Sequence, residues 1–243
     1  MGAAVTDLLE LAVRAHGGLA RWERISRFNA LVSITGAIWD LKARSGLLSC
    51  VALEGTTRDQ SLTISPFPVP GRYVTWEPYR QAVMTSDGAL VTERLNPVAS
   101  FDGLTRESPW DELQVAYFAS EANWNYFTAP FVFTRPGFLA EEIDPCEEEG
   151  QSWRSLRVTY PDDIVTHTRR QTYHFDESGL LRRLDYSVDI LGGGDAVHYP
   201  SDYRDFDGIL VPTRRRVYAR DGSGRILRDQ VAVAIDITDI TFG

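Results

Sequence analysis

No run of apolar residues in this 243-residue chain is long enough to cross a bilayer, which excludes a membrane-spanning helix. Asp7 and Glu10 interrupt the first apolar stretch, so it lacks the basic start and unbroken apolar core of a signal peptide. The expected residence is therefore the cytoplasm. Cysteine is scarce: Cys50 sits in an apolar run and Cys146 in an acidic one, which provides neither a disulfide framework nor a CxxC metal site. Lysine is nearly missing, since Lys42 is the only one among 25 basic residues. The excess of arginine has two readings, GC-rich codon usage or bidentate binding of carboxylate or phosphate.

The net charge of −9 argues against nucleic-acid binding, which needs a basic face, and against docking on anionic membranes. Phosphate loops are also missing. Gly192-Gly-Gly194 joins two strand-like runs and opens no helix, and Gly222-Ser-Gly224 reads as a turn, not a nucleophile elbow. The four histidines, His16, His167, His174 and His198, form no metal-ligating pair, so neither a metal nor another cofactor is expected.

What the chain does have is alternation. Apolar residues at Val5, Leu8, Leu9, Ala12 and Val13 predict a first helix, with Thr6 as N-cap and His16-Gly17-Gly18 as its end. A short helical piece over 19–25 follows, with Trp22 and Ile25 toward the core. Strand patterns then cover 28–38, 47–54, 60–65, 71–77, 80–85 and 89–95. A second helix is expected between Pro109 and Thr128, capped by Ser108, with Trp110, Leu113, Tyr117 and Trp124 on one face. Segment 141–150 reads as a solvated acidic loop. Strand patterns resume over 153–160, 166–175, 180–191, 196–206, 209–219 and 228–237. With no repeat or linker, residues 1–243 read as one domain.

This order of elements resembles the outer-membrane lipoprotein carrier family, through Ala15-His16-Gly17-Gly18, then Trp22, then the strand series. A closer similarity is to a bacterial group of that fold with no established reaction. Its motifs stand here as Ser108-Pro-Trp-Asp111, Ala129-Pro-Phe131, Thr166-His167-Thr168, Leu181-Arg-Arg-Leu-Asp-Tyr186, His198-Tyr199, Asp202-Tyr203 and Val211-Pro-Thr-Arg-Arg215. The resemblance implies a mainly β, half-open, curved antiparallel barrel of about ten strands. The N-terminal helix and a mid-chain helix would serve as lid or plug over an apolar cavity.

Parity along the strands selects site candidates. His167 and Arg169 share a predicted face with Tyr173, and Tyr199 shares one with Tyr203. Arg215 shares one with Val211 and Val217, and Tyr186 lies on the apolar face of its strand. His167, Tyr199 and Tyr203 are the candidates for acid–base chemistry. Arg169, Arg215, Tyr173, Tyr186, Trp110, Tyr117 and Trp124 are the candidates for holding a ligand. His198 falls on the opposite predicted face from Tyr199. Two functions follow from such a cavity: binding of an apolar or amphiphilic, anionic-headed small molecule, or cofactor-independent catalysis by a cyclase, isomerase or hydrolase on a lipid-like or polyketide-like substrate. Polar residues at strand ends also reach water at a barrel rim, and a buried arginine also pairs with structural carboxylates. The sequence leaves the oligomeric state open.

Overall fold

The computed structural model describes residues 6–243. Val5, expected in the first helix, lies outside them. Helix α1 (Asp7–Ala15) starts where expected, with the Thr6 hydroxyl accepting from the Leu9 amide, and α2 (Leu19–Trp22) is a single turn. Next come β1 (Arg27–Thr35), the short α3 (Ala37–Leu41), β2 (Val51–Thr56), β3 (Leu62–Ser65) and β4 (Arg72–Glu77). β5 (Arg80–Thr85) and β6 (Leu90–Leu95) complete the first meander. Helix α4 (Glu112–Thr128) intervenes. The second meander is β7 (Leu139–Glu148), β8 (Gln151–Thr159), β9 (Arg170–Phe175), β10 (Leu181–Val188), β11 (Gly194–Phe206), β12 (Ile209–Ala219) and β13 (Val233–Phe242).

All thirteen strands form one antiparallel sheet in the order β6-β5-β4-β3-β2-β1-β13-β12-β11-β10-β9-β8-β7. The two meanders meet where β1 pairs with β13. Strict alternation along β1 turns Phe28, Ala30, Val32 and Ile34 inward. At Gly55 a Cβ would lie 2.3 Å from the Phe28 ring, so glycine lets that ring lie across the sheet and stack on Phe127 of α4 at 4.6 Å.

Three expectations need correction. The strand count is thirteen, not about ten, partly because the acidic segment read as a loop is β7. As an edge strand bearing Glu141, Glu142, Asp144, Glu147 and Glu148, it has no apolar side to reveal it. Ile38 leaves the first strand for α3. The cap of α4 is Asp111, not Ser108: Asp111 accepts from the Gln114 amide, the Gln114 side chain accepts from the Asp111 amide, and Arg94 grips the Asp111 carboxylate. Ser108 instead accepts the Thr105 amide through its hydroxyl.

α4 decides what the concave face can do. Every residue from Leu113 to Thr128 is buried. The helix is a plug enclosed by the sheet and the loops, not a lid with a wet side. Ser120, Glu121, Asn123 and Asn125 are therefore buried with its aromatics.

Candidate functional site

Two small cavities lie against the plug, each of about 20 Å³, room for about one water molecule. The first lies among His16, Tyr126, Tyr173, Tyr203 and Arg215, with apolar walls from Phe131, Phe175, Leu184 and Val211. The second lies among Trp39, Asn123, Tyr126, His167 and Tyr186, with walls from Ile34, Phe118, Val217 and Ile235. Tyr126 lines both. Its hydroxyl meets that of Tyr186 at 2.9 Å.

Arg215 dominates the first cavity. The β12 alternation Ile209, Val211, Thr213, Arg215, Val217 turns it inward, and it is 4% exposed. Its Nη2 donates to the Tyr126 carbonyl at 3.1 Å. That carbonyl has no partner within α4, because the residue four positions on is Pro130. Nη1 lies 3.5 Å from His198 Nε2, and the guanidinium sits 5.2 Å from the centre of the Tyr126 ring. Only two arginines are buried among the described residues. Arg183 meets the carboxylates of Glu148 and Asp185. Among the described residues, Arg215 has no carboxylate within ion-pair distance.

The groups around Arg215 are neutral. Burial pushes His16 down to about 4, and the ring's Nδ1 donates to the Ala12 carbonyl at 2.7 Å. Burial, reinforced by the Arg215 charge, holds His198 well below the ordinary histidine value. Desolvation raises the Tyr126, Tyr173, Tyr186 and Tyr203 phenols above theirs. The cavity thus presents one fixed positive charge among uncharged rings. His16 is held there by Gly17, at φ +127, where a Cβ would come 2.3 Å from the Gly208 carbonyl oxygen.

Of the residues singled out in the sequence, Arg215, Tyr173, Tyr186, Tyr203 and His167 line these cavities. Tyr203 donates to the Leu181 carbonyl at 2.7 Å and packs edge-on to His16. His167 stacks on Tyr186, and its Nδ1 touches the Glu121 carboxylate off the axis of a well-formed hydrogen bond.

Three placements differ from expectation. Arg169 lies outside, with its side chain 59% exposed and paired with Asp162. β9 begins only at Arg170, so strand parity does not extend back to it. Tyr199 lies on the outer face and donates to Glu148 at 2.7 Å, while His198 turns inward. Between Tyr199 and Tyr203 stands Asp202, whose φ of 55 breaks the extended conformation and interrupts its pairing with Thr213, so alternation does not carry from one tyrosine to the other although the β11–β12 register is the same on both sides. Trp110, Tyr117 and Trp124 fill the core beside Phe101, Phe118 and Trp76 and line neither cavity. The Trp124 indole donates to the Thr56 and Asp59 carbonyls.

Sequence reasoning missed Glu121, Tyr126, Trp39 and Asn123. A glutamate inside so aromatic a helix was the available signal, because a carboxylate there needs a buried partner. On the outer face, Ser155, His174 and Asp185 stand in a row, with Ser155 Oγ 2.8 Å from His174 Nδ1 and Asp185 3.7 Å from its Nε2. Ser155 is 1% exposed and lines none of the cavities described, so this row is packing.

The sequence matches no protein-family model and no curated protein. The structure is similar to that of a LolA superfamily protein from Nitrosomonas europaea, at a TM-score of 0.55 and 12% identity, covering 99% of this chain and 94% of that one. It is also similar to a DUF1329 family protein from Desulfovibrio piger, at 0.54 and 14%, covering 99% and 93%. The fold is LolA-like. At these identities the similarity extends to the fold alone. Within the LolA-like sheet of this chain, the concave side is occupied by α4.

Proposed function

We propose that this protein binds an apolar small molecule carrying an anionic group, with Arg215 as the anchor. One observation carries the reading: a buried arginine without a carboxylate lines a cavity whose other polar groups are neutral. Removing an unpaired guanidinium from water costs several kcal/mol, on the order of the cost for any buried ion, unless something compensates it. The helix carbonyl, the edge of His198 and the Tyr126 ring do so in part, and a bound carboxylate or phosphate would complete the compensation. The apolar walls supply the rest of the recognition. In the closed state the cavities are too small for such a molecule, so binding displaces part of the plug.

The test is to titrate fluorescent fatty acids and their neutral esters into wild-type protein and Arg215→Met. The wild type is expected to favour the acid, and Arg215→Met is expected to bind acid and ester alike. Unchanged preference in a folded Arg215→Met protein would dispose of the anchor. Arg169→Met is the control, and leaves the preference intact because Arg169 lies outside.

A further inference from the structure

The second cavity holds two buried polar groups that the packing leaves incomplete. Trp39 is 3% exposed, and its indole N–H has no acceptor among the described residues. Asn123 is 2% exposed. Its amide nitrogen donates to the Ala119 carbonyl at 2.8 Å, and its Oδ1 has no donor among the described residues. That assignment of nitrogen and oxygen follows from the contact, because the flipped amide would set two oxygens together. Both side chains line the second cavity. Beside the Tyr126–Tyr186 hydroxyl pair and the His167 ring, it therefore offers the Trp39 donor and the Asn123 acceptor, together the complement of a hydroxyl group, which accepts one hydrogen bond and donates another. A lone indole N–H buried without an acceptor costs about as much as a lost hydrogen bond, and at Trp39 it stands on a cavity wall beside an unpaired acceptor.

The two cavities are close enough for one molecule. Arg215 pairs across the sheet with Ile235, and Ile235 pairs with Ile34, both of which line the second cavity. Two interstrand spacings put that wall about 10 Å from Arg215. Between the cavities stands the Tyr126 side chain, which lines both and is held by the Tyr186 hydroxyl. We infer that the ligand is a hydroxylated amphiphilic anion. Its acid group lies at Arg215, its chain passes Tyr126, and a distal hydroxyl bridges Trp39 Nε1 and Asn123 Oδ1. This inference rests on the proposed function and narrows it. A plain alkyl chain would leave both polar groups unpaired, and a ketone would satisfy only the indole.

The experiment uses the full chain and a ladder of ω-hydroxy fatty acids from hexanoate to dodecanoate, each measured by calorimetry against its unsubstituted parent. At one chain length the hydroxy acid is expected to bind about fivefold tighter than its parent, the gain of one net hydrogen bond. Trp39→Phe brings that ratio to about one. Arg215→Met weakens both acids and leaves the ratio in place, so the two readings separate. A ratio near one at every length in the wild type, with the acids still bound, would mean the second cavity holds only water; it would overturn the hydroxyl and leave the anchor standing. Absence of binding by any acid would overturn both. The wild-type ladder alone decides the matter if Trp39→Phe fails to fold.

Discussion

His16 should make the protein sensitive to mild acid, and the size of the effect follows from its burial. The folded ring titrates at about 4, against an ordinary value of 6.5. Between those two values the unfolded chain binds a proton that the folded chain does not. Stability therefore rises with pH across that window and is lost as pH falls toward 4. From pH 7 to pH 5 this one group withdraws about 2 kcal/mol, and the full shift corresponds to about 3 kcal/mol. His198, also held below its ordinary value, acts in the same direction. Asp185, whose neighbours Arg183 and His174 hold it well below the carboxylate range, loses its contribution only at lower pH, below the unfolded carboxylate value. Urea denaturation at pH 7 and pH 5 thus isolates the histidines. His16→Asn keeps a donor for the Ala12 carbonyl and removes the titration. It should flatten the pH dependence by about 2 kcal/mol, leaving the share of His198. An identical slope in His16→Asn and wild type would show that His16 is not the group that titrates, and would refute the claim that Arg215 is the cavity's only cation at neutral pH.

Two further outcomes concern the plug. Asp111→Ala removes the capping box of α4 together with its Arg94 contact and should lower stability by about 1–2 kcal/mol, read as a lower urea midpoint. Glu121→Leu removes the polar neighbour of the buried His167 ring and should cost about 1–3 kcal/mol; Glu121→Leu with His167→Leu should cost less than the two single changes added, in a double-mutant cycle read by urea denaturation.

The fold was legible where one side of a strand is wet and the other dry. β1, β10 and β12 show their alternation in the sequence and keep it in the structure. It was illegible where that contrast vanishes. β7 is polar on both sides because it is an edge, and α3 is too short for a helical period. α4 is buried all round, so its apparent apolar face of Leu113, Tyr117 and Trp124 was only part of a fully enclosed helix, and Trp110 lies before its cap. Site residues followed the same rule. Arg215 and Tyr186 were read from parity on unbroken strands. Tyr199 was misplaced because Asp202, at φ 55, leaves the extended conformation, and nothing in a one-letter alternation marks such a break. Arg169 was misplaced because its segment had not yet become a strand.

Arg215 also has a structural duty, and its magnitude bears on the functional reading. It caps the carbonyl that Pro130 leaves free at the C-terminal end of α4, where a cation is favoured by the helix dipole. A cap needs one donor, whereas guanidinium has five. The helix end supplies the equivalent of about half a negative charge, so roughly half of the positive charge stays uncompensated in the cavity. A neutral glutamine or asparagine would cap the same carbonyl without carrying a buried charge. The excess charge is therefore what capping does not explain and what an anionic ligand does. Under the proposed function the two duties meet in one side chain: an anion that draws the guanidinium toward itself loosens the last turn of α4, the turn carrying the Tyr126 ring that separates the two cavities.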